Sequence, residues 1–258
     1  MAQLLAIENV SLTFGGLKAL DEVSFGLSAG EIMGLVGPNG SGKSTMLNVL
    51  SGVYRPDRGD VRLDGASLIG RKPSAIAAAG LTRTFQNLQL FIGLTVGENV
   101  MVGLDCRLRS SLIASVLGLP STRNEERTAK SRALSLLEAV GLSARIQASP
   151  SSLSYGQRRL LEVARALASE PKILMLDEPC AGLSEGETES LAALVRKLAA
   201  AGTAVIVVEH NMRFVMSLVD RIVALNFGRK IAEGAPEEVR NDETLIEAYL
   251  GRRNHAHR

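Results

Sequence analysis

The chain has 258 residues, enough for one large or two small domains with a substantial core. Lys and Arg total 29 against 27 Asp and Glu, a formal charge of +2, which removes the global positive field expected of a nucleic-acid binder. Two cysteines, Cys106 and Cys180, stand far apart in no metal-ligand spacing, which excludes a disulfide framework and suits a reducing compartment.

The opening MAQLLAIENV lacks a basic stretch followed by an apolar core, so no export signal is expected. No apolar run approaches the ~18 residues that span a bilayer. A cytoplasmic chain is expected, and any membrane step needs a separate polypeptide. From Leu4 to Val36 the pattern reads as short strands: Leu4 to Val10, Ser11 to Phe14, a Gly15-Gly16 turn, then Val23 to Leu27. This is a small antiparallel sheet. Phe14, just before the turn, either stacks its ring on a base or points into the core.

The apolar run Ile32 to Val36 then leads into GPNGSGKST, made of Gly37, Pro38, Asn39, Gly40, Ser41, Gly42, Lys43, Ser44 and Thr45. It fits G-x-x-x-x-G-K-[ST] at every fixed position, and the strand before and helix after supply the required context. The glycines let backbone N–H groups turn inward around a phosphate, and the helix start adds partial positive charge. Lys43 is expected to reach the outer phosphates of a nucleotide. Ser44 is expected to place its hydroxyl on Mg²⁺, with Thr45 beside it. The helix should run to Leu50 and stop at Ser51-Gly52.

Gly59 to Gly65 reads as a further strand, and Thr82-Arg83-Thr84-Phe85-Gln86 opens a polar loop. From about Val96 to Gly141 the pattern is helical, with an amphipathic run through Ala133, Leu134, Leu136, Leu137 and Val140. Inside it, Arg107-Leu108-Arg109 precedes the apolar Leu112 to Pro120; this is either a membrane-surface or partner helix or an internal one. Leu153-Ser154-Tyr155-Gly156-Gln157 opens a long helix with arginines in its first turns. That helix start is either a second anion site or an ordinary N-cap by Ser154.

After Lys172, Ile173 to Leu176 is an all-apolar strand of the kind buried in parallel sheets, and it ends in Asp177-Glu178-Pro179. Ligands of open α/β sheets bind beyond the carboxyl ends of strands. Neighbouring residues at a strand end face different ways, so Asp177 can address Mg²⁺ while Glu178 orients or deprotonates the attacking water. Cys180 is read as a small packed residue, with a redox-sensitive thiol as the alternative. Thr203 to Val208 is another buried strand, ending at Glu209-His210 on the same edge, where His210 either senses phosphate or is structural. The basic tail Gly251 to Arg258 is either a frayed terminus or a headgroup contact.

Taken together, the phosphate loop, Gln86, LSYGQ, ILMLDEP and His210, in this order along nearly the whole chain, resemble the ATP-binding subunit of ABC transporters. The resemblance implies an α/β fold: a P-loop NTPase core with an N-terminal antiparallel β subdomain and an inserted helical subdomain at about 87–160, in one domain over 1–258. It implies ATP and Mg²⁺ as ligands, with Phe14 stacking on adenine and Gln86 sensing γ-phosphate and Mg²⁺. Glu178 would be the catalytic base, and His210 would steady the γ-phosphate. Ser154, Gly156 and Gln157 would complete the nucleotide site of an opposite subunit, so two chains would pair head to tail in a C₂ interface.

The finer match looks like the branched-chain amino acid group: RTFQNLQLF, YGQRRLLEVARAL, EPCAGLSEGET, the run from VVEHNMRF to GAPEEV, and IEAYLG. It implies an ATPase on the inner face of the cell membrane, with permease subunits as partners and a solute-binding protein as an indirect one. Urea and aromatic-acid importers have similar subunits. Lipopolysaccharide exporters share the short single-domain layout, as do soluble iron–sulfur assembly ATPases. Tyr155 stands where the commonest signature has Gly. Ser184 stands where Asp or Asn is usual, in a loop that the family resemblance places at the dimer interface.

Overall fold

The structure, a computed structural model, describes residues 3–84, 89–104 and 120–250. Gln86, Cys106, residues 107–119 and the tail 251–258 lie outside the described residues. Ten strands form two sheets among the described residues. The first, ordered β2-β1-β4-β5, consists of β1 (Gln3–Phe14), β2 (Leu17–Ser28), β4 (Arg58–Leu63) and β5 (Ala66–Ser67). All its pairings are antiparallel. Where the sequence reads two strands before the Gly-Gly turn, the chain makes one. Register shifts along β1, and Asn9 at φ 48°, let the single strand bend instead of breaking.

The second sheet runs β10-β9-β3-β8-β7-β6. Its members are β3 (Ile32–Val36), β6 (Leu81–Arg83), β7 (Ile173–Asp177), β8 (Ala204–Val208), β9 (Arg221–Asn226) and β10 (Arg229–Gly234). All of its pairings are parallel except that of β10 with β9. The apolar runs that mark β3, β7 and β8 are fully buried, as strands covered on both faces must be.

Alternation along each strand divides the interior into two cores. Ile32, Val36, Leu174, Leu176, Val205 and Val207 face one core. Its helices include α3 (Val96–Leu104), α4 (Pro120–Ala139), α5 (Tyr155–Ala168), α6 (Glu185–Ala200) and α7 (Met212–Leu218). Met33, Leu35, Ile173, Met175 and Ile206 face the other core, against α1 (Lys43–Leu50), α2 (Pro73–Ala79) and the antiparallel sheet. Two short helices, α8 (Pro236–Arg240) and α9 (Glu243–Leu250), follow β10.

The segment between β6 and β7 is helical, contributing α3, α4 and α5, which pack on one another. Among the described residues no helix is long and apolar enough to cross a membrane. The consequence for function lies at one edge: β3, β8 and β7 are neighbours, so their carboxyl ends bring the phosphate loop, Asp177-Glu178 and Glu209-His210 together.

Candidate active site

The phosphate loop connects β3 to α1 and takes its shape from two glycines. Gly37 has φ 146°, and a Cβ there would lie 2.1 Å from the Leu225 carbonyl oxygen. Gly42, at φ 108°, caps α1, and a Cβ there would lie 2.8 Å from the Ala19 carbonyl oxygen. Any side chain at either position would push the loop off the sheet. No side chain caps α1, so its first-turn N–H groups are left for an anion. Lys43 is buried and donates to the carbonyls of Gly37 at 2.7 Å and Pro38 at 2.9 Å. Burial lowers its pKa, and the negative charges of Glu178 and Asp177 act the other way.

A groove of about 700 Å³ runs over this loop. Its walls include Phe14, Asn39 to Thr45, Glu178, His210 and Phe227. Of the two readings of Phe14, the structure takes the exposed one. The ring is 45% exposed, set edge-on to Tyr54 with centroids 5.2 Å apart. Pro38 lines a neighbouring hollow, while Gly37 is buried beneath the loop.

The acidic strand end divides as alternation requires. Glu178, at φ 49°, turns into the groove, where its Oε1 lies 2.9 Å from His210 Nε2. Asp177 is buried and points away, its Oδ2 accepting from Arg83 Nη2 at 2.7 Å. Arg83 Nη1 also donates to Asn48 Oδ1 of α1 at 2.6 Å. Glu209, only 6% exposed, holds the next turn together. It accepts from the backbone N–H of Cys180 at 2.7 Å, His210 at 3.0 Å and Asn211 at 3.4 Å. The carboxylate of Glu209 thus fixes where His210 sits. Sequence reasoning assigned no role to Arg83, Asn48 or Glu209. Arg83 lay within the RTFQ string, but its partners are set by strand pairing.

The donors available suit Mg²⁺. That ion needs only one or two protein oxygens, with phosphates and water completing its shell. Ser44 is exposed and lines the groove, and the buried Asp177 at the end of β7 adds a carboxylate that is already paired with Arg83. No cluster of three or more metal-binding side chains competes among the described residues.

Ser154, Gly156 and Gln157 do not line this groove. Ser154 caps α5, its Oγ accepting from the Gln157 N–H at 3.1 Å while Gln157 Oε1 accepts from the Ser154 N–H at 3.2 Å. A Cβ on Gly156 would lie 2.9 Å from the Gly182 carbonyl oxygen and 3.0 Å from Glu187 Oε2. The start of α5 therefore packs on the loop that opens α6. Ser184 caps α6 in a reciprocal box with Glu187, a position where Asp, Asn and Ser serve about equally.

A glycine loop between a parallel strand and a helix, a buried lysine inside it and a carboxylate–imidazole pair across the groove define a P-loop nucleoside triphosphatase. Comparison with known proteins narrows the class. A family model described as ABC transporter matches residues 20–181, and one described as branched-chain amino acid ATP-binding cassette transporter matches residues 229–255. The high-affinity branched-chain amino acid transport ATP-binding protein BraF of Pseudomonas aeruginosa is 41% identical over 96% of this chain and 98% of its own. LivG of Escherichia coli, which carries the same description, is 41% identical over the same shares. A nucleotide-free ATP-binding cassette from an ABC transporter superposes with a TM-score of 0.84 at 33% identity, covering 97% of this chain and all of that one. A dimeric bacterial ABC transporter cassette superposes at 0.78 and 28% identity, over 90% of this chain and 98% of that one. The chain belongs to the ABC transporter family and is one of its ATP-hydrolysing cassettes.

Proposed function

We propose that the chain powers import of branched-chain or similar small amino acids through separate permease subunits, as a peripheral ATPase on the inner face of the cell membrane. The solute class rests on the likeness to branched-chain amino acid transport proteins over 96% of the chain, extended by the C-terminal match at 229–255. The whole chain acts as one ATP-binding domain, with the helices of about 87–160 as an inserted subdomain. A second ATPase chain, of the same or a related sequence, is its partner; a solute-binding protein acts indirectly, and nucleic acid has no part.

The observation that carries the chemistry is the Glu178–His210 pair facing Lys43 across the groove. ATP lies along the groove with its adenine against Phe14 and its phosphates in the cradle of Gly37 to Thr45. Lys43 and the N–H groups of α1 hold the outer phosphates. Ser44, Asp177 and Gln86 would hold Mg²⁺, which supplies charge neutralisation on the phosphates. Glu178 accepts the proton of the attacking water, and His210 holds Glu178 on one side while steadying the γ-phosphate. Ser154, Gly156 and Gln157 close the groove of the opposite chain.

The test is to tag the chain, solubilise native membranes gently and identify what co-purifies. Two hydrophobic permeases with a second, related ATPase are expected. Recovery with soluble proteins alone refutes the importer and leaves the ATP chemistry standing.

A further inference from the structure

Arg83 stands three residues before Gln86 in the RTFQ string with no role of its own assigned, yet it is tied into the centre of the ATP site. It ends β6 in parallel register with Met175 of β7, which brings its side chain beside the strand end that carries Asp177. One arm of the guanidinium donates to Asp177 and the other to Asn48. The pair is sealed from water, the two charged side chains being 7% and 4% exposed. Asn48 stands four residues after Ser44 on α1 and so shares its face of the helix. The next residue, Thr84, accepts from the Asp177 N–H at 3.2 Å, so residues 83 and 84 hold Asp177 from both its backbone and its carboxylate.

A guanidinium does not lose its charge at any working pH. A divalent ion addressing Asp177 therefore meets a carboxylate that already serves a fixed cation. We propose that Arg83 is a positioning residue that sets how strongly this site takes Mg²⁺. It holds the Asp177 carboxylate in place and, by its charge, lowers the site's affinity for the metal. The pair with Asn48 fixes that cation to the phosphate-binding helix, so the penalty is built into the fold. The inference rests on the assignment of Asp177 to the metal made above.

The experiment follows binding of a fluorescent ATP analogue to the purified chain as Mg²⁺ is raised from an EDTA baseline. Arg83→Met should lower the Mg²⁺ concentration for half-maximal enhancement at least about tenfold. Roughly tenfold is the lower bound that water-like screening sets for a unit charge beside a divalent ion on a shared carboxylate, since a buried pair is screened less. Metal-free binding should not tighten. Arg83→Lys, which keeps the charge, should return the midpoint towards that of the parent chain. An unchanged or raised midpoint in Arg83→Met overturns the proposal, as does a lysine variant that behaves like the methionine one. Should Arg83→Met fail to fold, Arg83→Gln removes the charge but keeps a donor for Asp177, and the same fall is expected. Asp177→Asn separates the two readings. If it leaves the Mg²⁺ dependence intact, the metal role of Asp177 fails and this proposal with it. If it abolishes that dependence while Arg83→Met shifts nothing, only the role of Arg83 fails.

Discussion

Replacing Glu178 with Gln removes one negative charge and one basic oxygen while keeping the shape of the side chain. The amide still reaches His210 Nε2, 2.9 Å from the present Oε1. Because the histidine and glutamate side chains are 45% and 25% exposed, the pair contributes at most ~1 kcal/mol to stability. The melting temperature should move by no more than about 4 °C. ATP affinity should hold or rise, because a carboxylate leaves the edge of a groove that takes a polyanion. Turnover should fall by roughly 10²–10⁴, the contribution of a positioned base, which corresponds to about 3–5 kcal/mol of transition-state stabilisation. The assay is steady-state phosphate release beside equilibrium ATP binding on the same preparation. Near-normal turnover would refute the reasoning. So would a loss of binding in proportion to the loss of turnover, which would make Glu178 a substrate anchor.

Ser184→Ala removes the oxygen that accepts from the Glu187 N–H at 3.3 Å, and should cost about 1 kcal/mol by chemical denaturation. Ser184→Asp restores an acceptor and should recover most of that loss. Phe14→Ala should weaken ATP binding by at least about fivefold, the low end of ring-on-base stacking, with little change in melting temperature because the ring is half exposed. A fall in melting temperature without a fall in affinity would make Phe14 a packing residue. Burial, followed by the nearby charge of Glu209, pushes the Cys180 thiol well above the usual thiol range. A raised pKa leaves little thiolate, so in a Cys106→Ser background alkylation at pH 8 should run far slower than for a free thiol. Alkylation as fast as an exposed thiol would contradict that.

What could be read from the sequence was what a short window determines. The phosphate loop needs glycines with positive φ, a lysine and a helix start, all within Gly37 to Thr45, and Gly37, Gly40 and Gly42 take that conformation ahead of α1. Of the two readings of the LSYGQ helix start, the structure shows the N-cap by Ser154, reinforced by Gln157. Buried runs identify β3, β7 and β8, because strands covered on both faces read as continuous apolar sequence. The Arg83–Asp177 pair, by contrast, joins residues 94 apart through the pairing of β6 with β7. A three-residue strand leaves no periodicity from which to foresee that pairing. Glu209 was hidden similarly, since its three backbone donors come from two different strand exits.

The start of α1 opens on the chain's own groove, whereas the start of α5, capped by Ser154, does not. The start of α5 is locked to the start of α6, since Gly156 leaves no room for a Cβ against Gly182 and Glu187. The chain from Glu178 to Ser184 runs between the two, tightened by backbone bonds from Ala181 N to Glu178 O at 3.3 Å and from Leu183 N to Cys180 O at 3.1 Å. The residue proposed as base in one groove is therefore joined through this one short turn to the residues proposed to close the other. In a pair of chains related by a two-fold axis, each hydrolysis site would thus be mechanically continuous with the lid of its neighbour. The consequence is that Ser184, which caps α6 as well as an Asp would, retains that continuity although it departs from the usual residue. A defect in cooperation between the two sites would then have to come from the lost charge at the interface, not from a loosened loop.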